Sequence, residues 1–262
     1  MTIIGHELKI NLKTLLIWVG TVAGCVFVFM LLFPQFSEQS AEIDKLYSGM
    51  GQFSVAFGLD KISMGTAMGF YGIEAGAMIS LGGAMFAALI GIGMLSKEEG
   101  NHTAEFLYTS STSRINIIIQ KWIAFFVIVI IFNLICVGCA IGSFAIIGEA
   151  ISWKEFWLYH LAQCIMHIEV GSICFGISGV LKKNNVGLGI GIAVLLYFAN
   201  MFINISDKLE GIKYITPFSY SDAANILSES KIEIAPLVIG IVIGVLFTGI
   251  SGVYYNKRDL NS

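Results

Sequence analysis

A chain of 262 residues that is 56% hydrophobic and 13% charged, with a mean hydropathy of +0.81, has too little polar surface for a water-soluble domain, where about 25% of residues are charged. A net charge of −3 with no basic stripe sets nucleic acid aside as a partner, because phosphate recognition needs clustered Lys and Arg. Five cysteines, odd in number and all inside apolar runs, argue against a disulfide framework.

The first 14 residues alternate apolar and charged positions at helical spacing (G-H-E-L-K-I-N-L-K, residues 5–13), the pattern of an elbow helix lying at the membrane surface. A bilayer is crossed by about 20 apolar residues, and residues 15–33 are the first such run. No small-residue cleavage site precedes Pro34 and Gln35, so the run reads as an anchor and not a signal peptide. Residues 34–74 form a long outer loop, mildly acidic, with Ile43, Leu46 and Tyr47 at i, i+3 and i+4. Short amphipathic helices are expected there, serving as a lid or as a solvated connector. Further spans follow at residues 75–95, 122–148, 156–181, 186–204 and 235–255, with a connecting segment at 96–121 and a second outer loop at 205–234. Five of the six runs contain no Asp, Glu, Lys or Arg, and none alternates as barrel strands do. The fold class is therefore all-α: a polytopic membrane protein of six transmembrane helices, forming one transmembrane domain over residues 1–262.

Orientation follows from the basic residues. With both termini cytoplasmic, nine fall inside (Lys9, Lys13, Lys97, Arg114, Lys121, Lys182, Lys183, Lys257, Arg258) and six outside (Lys45, Lys61, Lys154, Lys208, Lys213, Lys231), the bias that cytoplasmic loops show. Small-xxx-small steps at Gly138/Gly142 and Gly240/Gly244 predict close helix packing, within the subunit ahead of a dimer seam. Cys136 and Cys139 form a C-x-x-C at lipid depth with no other ligand in register, so helix packing is favoured over metal or redox chemistry. Polar residues within spans are costly and usually face a bundle interior or a water-filled path. Here they are Asn133, His160, His167 and Glu169. The two histidines are two helical turns apart and share a face, whereas Glu169 points elsewhere. Asn133, His167 and Glu169 are candidates for a substrate path, with a buried hydrogen-bonded set that fixes packing as the alternative. No metal site and no catalytic residue is expected: H-E-x-x-H and G-x-S-x-G are absent.

Between the second and third spans runs L-S-K-E-E-G-N-H-T-A-E-F-L-Y-T-S-S-T-S-R-I-N-I-I-I-Q-K-W, residues 95–122. An element with acidic residues and the aromatics Phe106 and Tyr108 suits a groove on a soluble partner, since aromatics anchor such contacts; dipping of Phe106 and Leu107 into the lipid interface is the alternative. This stretch resembles the cytoplasmic signature of type 2 ABC transporter permeases: an acidic pair near Gly100, a short Thr-Ala-Glu-Phe-Leu helix, then Ser/Thr before Arg114 and Lys121. Three further stretches carry the resemblance, H-E-L-K-I-N-L-K-T-L-L-I-W (6–18), F-Y-G-I-E-A-G (70–76) and T-P-F-S-Y-S-D-A-A-N-I-L (216–227). The family commonly has proline just before the arginine, where this chain has Ser111, Thr112 and Ser113; such a residue can cap a helix starting near Arg114.

The resemblance implies a membrane subunit of an ABC exporter, with a cytoplasmic coupling helix that docks on a separate ATPase through Glu98, Glu99, Gly100, His102, Thr103, Glu105, Phe106, Leu107 and Tyr108. The chain has no G-x-x-x-x-G-K-[ST] and so no phosphate-cradling loop. ATP and Mg are expected in the partner, with no cofactor on this chain. Two ATPase copies and a second permease copy, identical or a close paralogue, would complete a four-chain exporter in the cytoplasmic membrane that works by alternating access. Families of this type export bacteriocins, peptide antibiotics, phenol-soluble modulins and small drugs. Spans without repeated charges favour amphipathic or apolar cargo, peptides first. Export of small drugs or ions, and a six-helix scaffold or sensor without transport, are the alternatives.

Overall fold

A computed structural model describes residues 2–100 and 113–257. Six helices among the described residues are long and apolar enough to cross a membrane, and no strand occurs among them. Helix α1 spans Ile3–Glu38, started by Thr2, whose hydroxyl accepts the N–H of Gly5 at 3.3 Å. The elbow helix expected over residues 1–14 and the first span are thus one continuous helix. No Gly or Pro lies between Gly5 and Gly20 to break it, and Glu7 is drawn into the bundle by two lysines. Pro34 sits inside its last turns.

Short helices α2 (Ser40–Ser48), α3 (Gln52–Ala56) and α4 (Ala67–Phe70) follow. In α2, Ile43 and Tyr47 pack on the core while Leu46 faces out, so the amphipathic stripe is narrower than its spacing suggests. A π-helical turn over Tyr71–Ala75 joins α4 to α5, Gly76–Gly100. Such a turn is a rare i→i+5 bulge in a helix; just beyond it the Tyr159 hydroxyl donates to Gly76 O at 3.0 Å.

Helix α6 (Arg114–Ile147) begins eight residues before the expected third span. Ser113 caps it by accepting the N–H of Asn116 at 3.4 Å, and Gly148, at φ 76°, ends it in the left-handed conformation that glycine adopts without penalty. Helix α7 spans Trp153–Ser178, α8 Val186–Ile205 and α10 Ile234–Lys257, with a 3-10 turn at Asp207–Tyr214 and the short α9 at Ala223–Glu229 between the last two. The spans alternate in direction, so Ile3 and Lys257 both lie at the end of the bundle where residues 100 and 113 meet the undescribed segment. The short elements gather at the opposite end.

Helix α5 is the axis of the bundle. It packs along α7 and α8 and touches α1 and α6, while α1 lies on α6 and α10 on α7. In its apolar window, 72% of residues are buried, against 17% for α8 and 22% for α10. The outer helices therefore present apolar side chains outward, as a lipid-facing surface requires. Of the two small-residue steps, Gly240 and Gly244 do pack inside the subunit, against Glu169 and Ser172 of α7. Gly138 and Gly142 have open space beside them, with nothing among the described residues within 4 Å of where a Cβ would stand.

Candidate functional site

Two groups of polar side chains interrupt the apolar bundle, one at the root of the 96–121 segment and one at mid-depth. At the root, Lys121 of α6 is almost fully buried and directs its ammonium to three acceptors: Glu7 Oε1 at 2.8 Å, Glu98 Oε1 at 2.5 Å and Met94 O at 2.7 Å. An ammonium has three donors, and all are used. Glu7, equally buried, binds Lys97 through Oε2 and also receives the amide of Asn11. Two lysines and two carboxylates thus form a neutral cluster that ties α1, the end of α5 and the start of α6 together. Burying charges this deeply is tolerated only when each is paired and hydrogen-bonded.

At mid-depth, His167 of α7 sits between α5 and α6. Its Nδ1 lies 3.0 Å from Asn133 Oδ1 and its Nε2 3.1 Å from Ile79 O, so whichever nitrogen carries the proton, an oxygen receives it. Gly83 makes room for the ring, since a Cβ there would lie 2.2 Å from it. Two turns earlier, His160 Nε2 is 2.8 Å from the Tyr71 hydroxyl in the π turn. Both histidines face the same stretch of chain, as their spacing requires.

Glu169 looks the other way. The Tyr220 hydroxyl donates to its Oε2 at 2.8 Å, and a Cβ on Gly240 would fall 2.1 Å from that oxygen, so α10 can pass only because residue 240 has no side chain. Glu169 also lines a cleft of about 880 Å³ between α6, α7 and α10, together with residues such as Ile118, Trp122, Ile168 and Val245. Tyr220 is itself fixed by its neighbours: Gln163 Nε2 donates to Ser221 O at 2.7 Å, and Asn200 and Asn204 each donate to Asp222 at 3.2 Å.

A family model described as ABC-2 family transporter protein matches residues 1–260. The chain belongs to this family. No curated protein matches it. The chain is thus an ABC transporter permease, a multi-pass membrane subunit, and membership of the family implies work with an ABC ATPase subunit.

Of the residues assigned to ATPase docking, His102, Thr103, Glu105, Phe106, Leu107 and Tyr108 lie outside the described residues, as does the expected coupling helix; Glu99 and Gly100 are described as backbone only. Glu98 is turned inward onto Lys121. Of the substrate-path candidates, Asn133 and His167 are hydrogen-bonded to one another in the core of the permease, while Glu169 faces the cleft. Sequence reasoning gave no site role to Glu7, Lys97, Lys121 and Tyr220, and named Gly240 for helix packing alone. A signal for the first three was present: charges of opposite sign stand at the ends of three apolar runs that meet at one face of the bundle. Tyr220 lies within T-P-F-S-Y-S-D, a stretch noted for resemblance alone.

Proposed function

We propose that the permease exports amphipathic or hydrophobic cargo, amphipathic peptides first, across the cytoplasmic membrane, driven by two copies of an ATPase that binds ATP and Mg. Two permease copies form the transport path, with both termini and the 96–121 segment on the cytoplasmic side. The observation that carries this reading is the neutral cluster of Glu7, Lys97, Glu98 and Lys121. It makes the root of that segment a stiff joint between three helices, the property needed where a partner's motion is to move a bundle and not merely bend a loop. Docking then rests on the segment beyond the joint, residues 99–108, with Phe106 and Leu107 as anchors. Glu98 contributes by holding the joint. Burial of one such apolar side chain is worth roughly 1.5–3 kcal/mol, and truncating an aromatic anchor often costs about 2 kcal/mol or more.

Phe106→Ala with Leu107→Ala is therefore expected to leave the permease folded in the membrane but to weaken retention of the ATPase. Complexes that still assemble should hydrolyse ATP without exporting cargo. The measurement is co-purification of tagged permease with its ATPase, followed by hydrolysis and transport in liposomes with a panel of peptides and drugs. Wild-type retention and transport in the double variant would remove the docking role, and stimulation by small ions alone would replace the cargo.

A further inference from the structure

The cleft between α6, α7 and α10 has the form of a ligand site. Its volume of about 880 Å³ falls within the roughly 300–1,000 Å³ of small-molecule pockets, which pair an apolar lining with few polar groups. Along α10 it runs from Ile241 to Asn256, about 22 Å at 1.5 Å per residue. Among its lining residues Glu169 alone is ionisable. Ser172, Thr248 and Asn256 line it as well, and Thr248 spends its hydroxyl on Gly244 O in its own helix.

That carboxyl is a built feature. Tyr220 orients it by donating to Oε2, and residue 240 is a glycine where any side chain would collide with it. Among the described residues Tyr220 is its one hydrogen-bond partner, and no Lys, Arg or His pairs with it. Among the described residues no donor reaches Oε1, which leaves this oxygen for what enters the cleft that Glu169 lines. A carboxylate in an apolar, membrane-depth setting gains most from an opposite charge brought to it. A neutral or anionic amphiphile offers none.

We propose that this cleft binds a hydrophobic amine, its apolar body along the isoleucines and valines and its ammonium on Oε1 of Glu169. Binding as such is independent of transport; that the bound amine is a cargo of the permease rests on the reading given above. A small amphiphile, and not a whole peptide, matches the volume.

Trp122 lines the cleft, and bromine quenches a nearby indole, so binding is measured on the full-length permease in detergent with ω-bromododecylamine, ω-bromododecanol and ω-bromododecanoate. In the wild-type protein the amine is expected to quench saturably at a concentration at least about tenfold below the other two, a difference of about 1.4 kcal/mol. Trp122→Phe should remove the saturable signal. Glu169→Gln should abolish the preference for the amine while keeping the Tyr220 hydrogen bond on the amide oxygen. Equal quenching by all three probes would mean acyl-chain occupancy only and overturn the proposal. Absence of saturable quenching, or its loss when two permeases associate, would overturn it too, the latter by giving the cleft to a second copy. The comparison of three probes on the wild-type protein needs no variant to fold. In the assembled transporter, an amine that binds but is not exported defeats the cargo reading and leaves the site standing. Export of peptides with no amine binding defeats the site alone.

Discussion

Replacing Lys121 by Met keeps a stem of similar length and removes one ammonium. The change strips a donor from Glu7 Oε1, from Glu98 Oε1 and from Met94 O at once. It leaves two carboxylates against the single charge of Lys97. Breaking a buried pair by removing one partner typically costs about 3–5 kcal/mol. Lys97 and Glu98 are partly exposed, at 18% and 13%, so water can reach that side and the lower figure applies, about 3 kcal/mol or roughly 100-fold in the folding equilibrium. A double-mutant cycle with Glu7→Gln separates the pair from the rest of the cluster. Residues sharing one ion-pair network show coupling of about 0.5–3 kcal/mol, and a pair buried this deeply should fall in the upper half. The assay is reversible unfolding in mixed micelles with rising SDS, followed by circular dichroism, for wild type, both single variants and the double variant. A loss below about 1 kcal/mol in Lys121→Met, together with coupling under the roughly 0.5 kcal/mol expected of independent sites, would refute the joint.

Other consequences are as direct. Single cysteines at Ser40 and Ser228, in a variant without the native cysteines, should react with an impermeant reagent outside intact cells, whereas one at Ser111 should not; labelling of Ser111 from outside would invert the proposed orientation. Gly83→Ala should cost about 1–3 kcal/mol through overpacking, because its Cβ would collide with the His167 ring. Gly138→Ala, with nothing within 4 Å, should be tolerated in the same unfolding assay, and matching losses at both positions would contradict the packing described.

The spans were legible because bilayer thickness imposes a length on uncharged runs, and five of the six carry no charge at all. Their ends were legible only in part, because a helix does not stop where hydrocarbon stops. Helix α6 begins at Arg114 with Ser113 as its cap, as the Ser/Thr run before the arginine indicated, although the apolar run starts at Trp122; that α1 runs back to Ile3 was not legible, because its charged turn depends on buried partners from other helices. The separation of Glu169 from the histidines followed from helical periodicity. Its partner Tyr220 did not, because it comes from an irregular turn 51 residues away, and no periodic pattern links the two. The cluster at Lys121 was legible only as opposite charges near span ends, for a related reason. Lysines near span ends are ordinarily read as interfacial votes for orientation, and only the meeting of α1, α5 and α6 turns two of those votes into buried ion pairs.

Adjacent residues of α6 serve the two sites. Lys121 reaches toward α1 and α5, while Trp122, one helical step of about 100° onward, lines the cleft toward α7 and α10. Ile115, Ile118 and Ile119 lie on the cleft as well, and Arg114 donates to Asn256 O at 3.3 Å at the far end of α10. A displacement of the first two turns of α6 therefore cannot alter the joint without also moving one wall of the cleft. A variant that loosens the joint without displacing those turns, as Lys121→Met is expected to do, should retain saturable quenching of Trp122 by the amine, since Glu169 and Tyr220 stand on other elements. Loss of both stability and quenching in that variant would show instead that the wall is set by the cluster, and that the geometry of the cleft follows the position of the segment beyond Glu98.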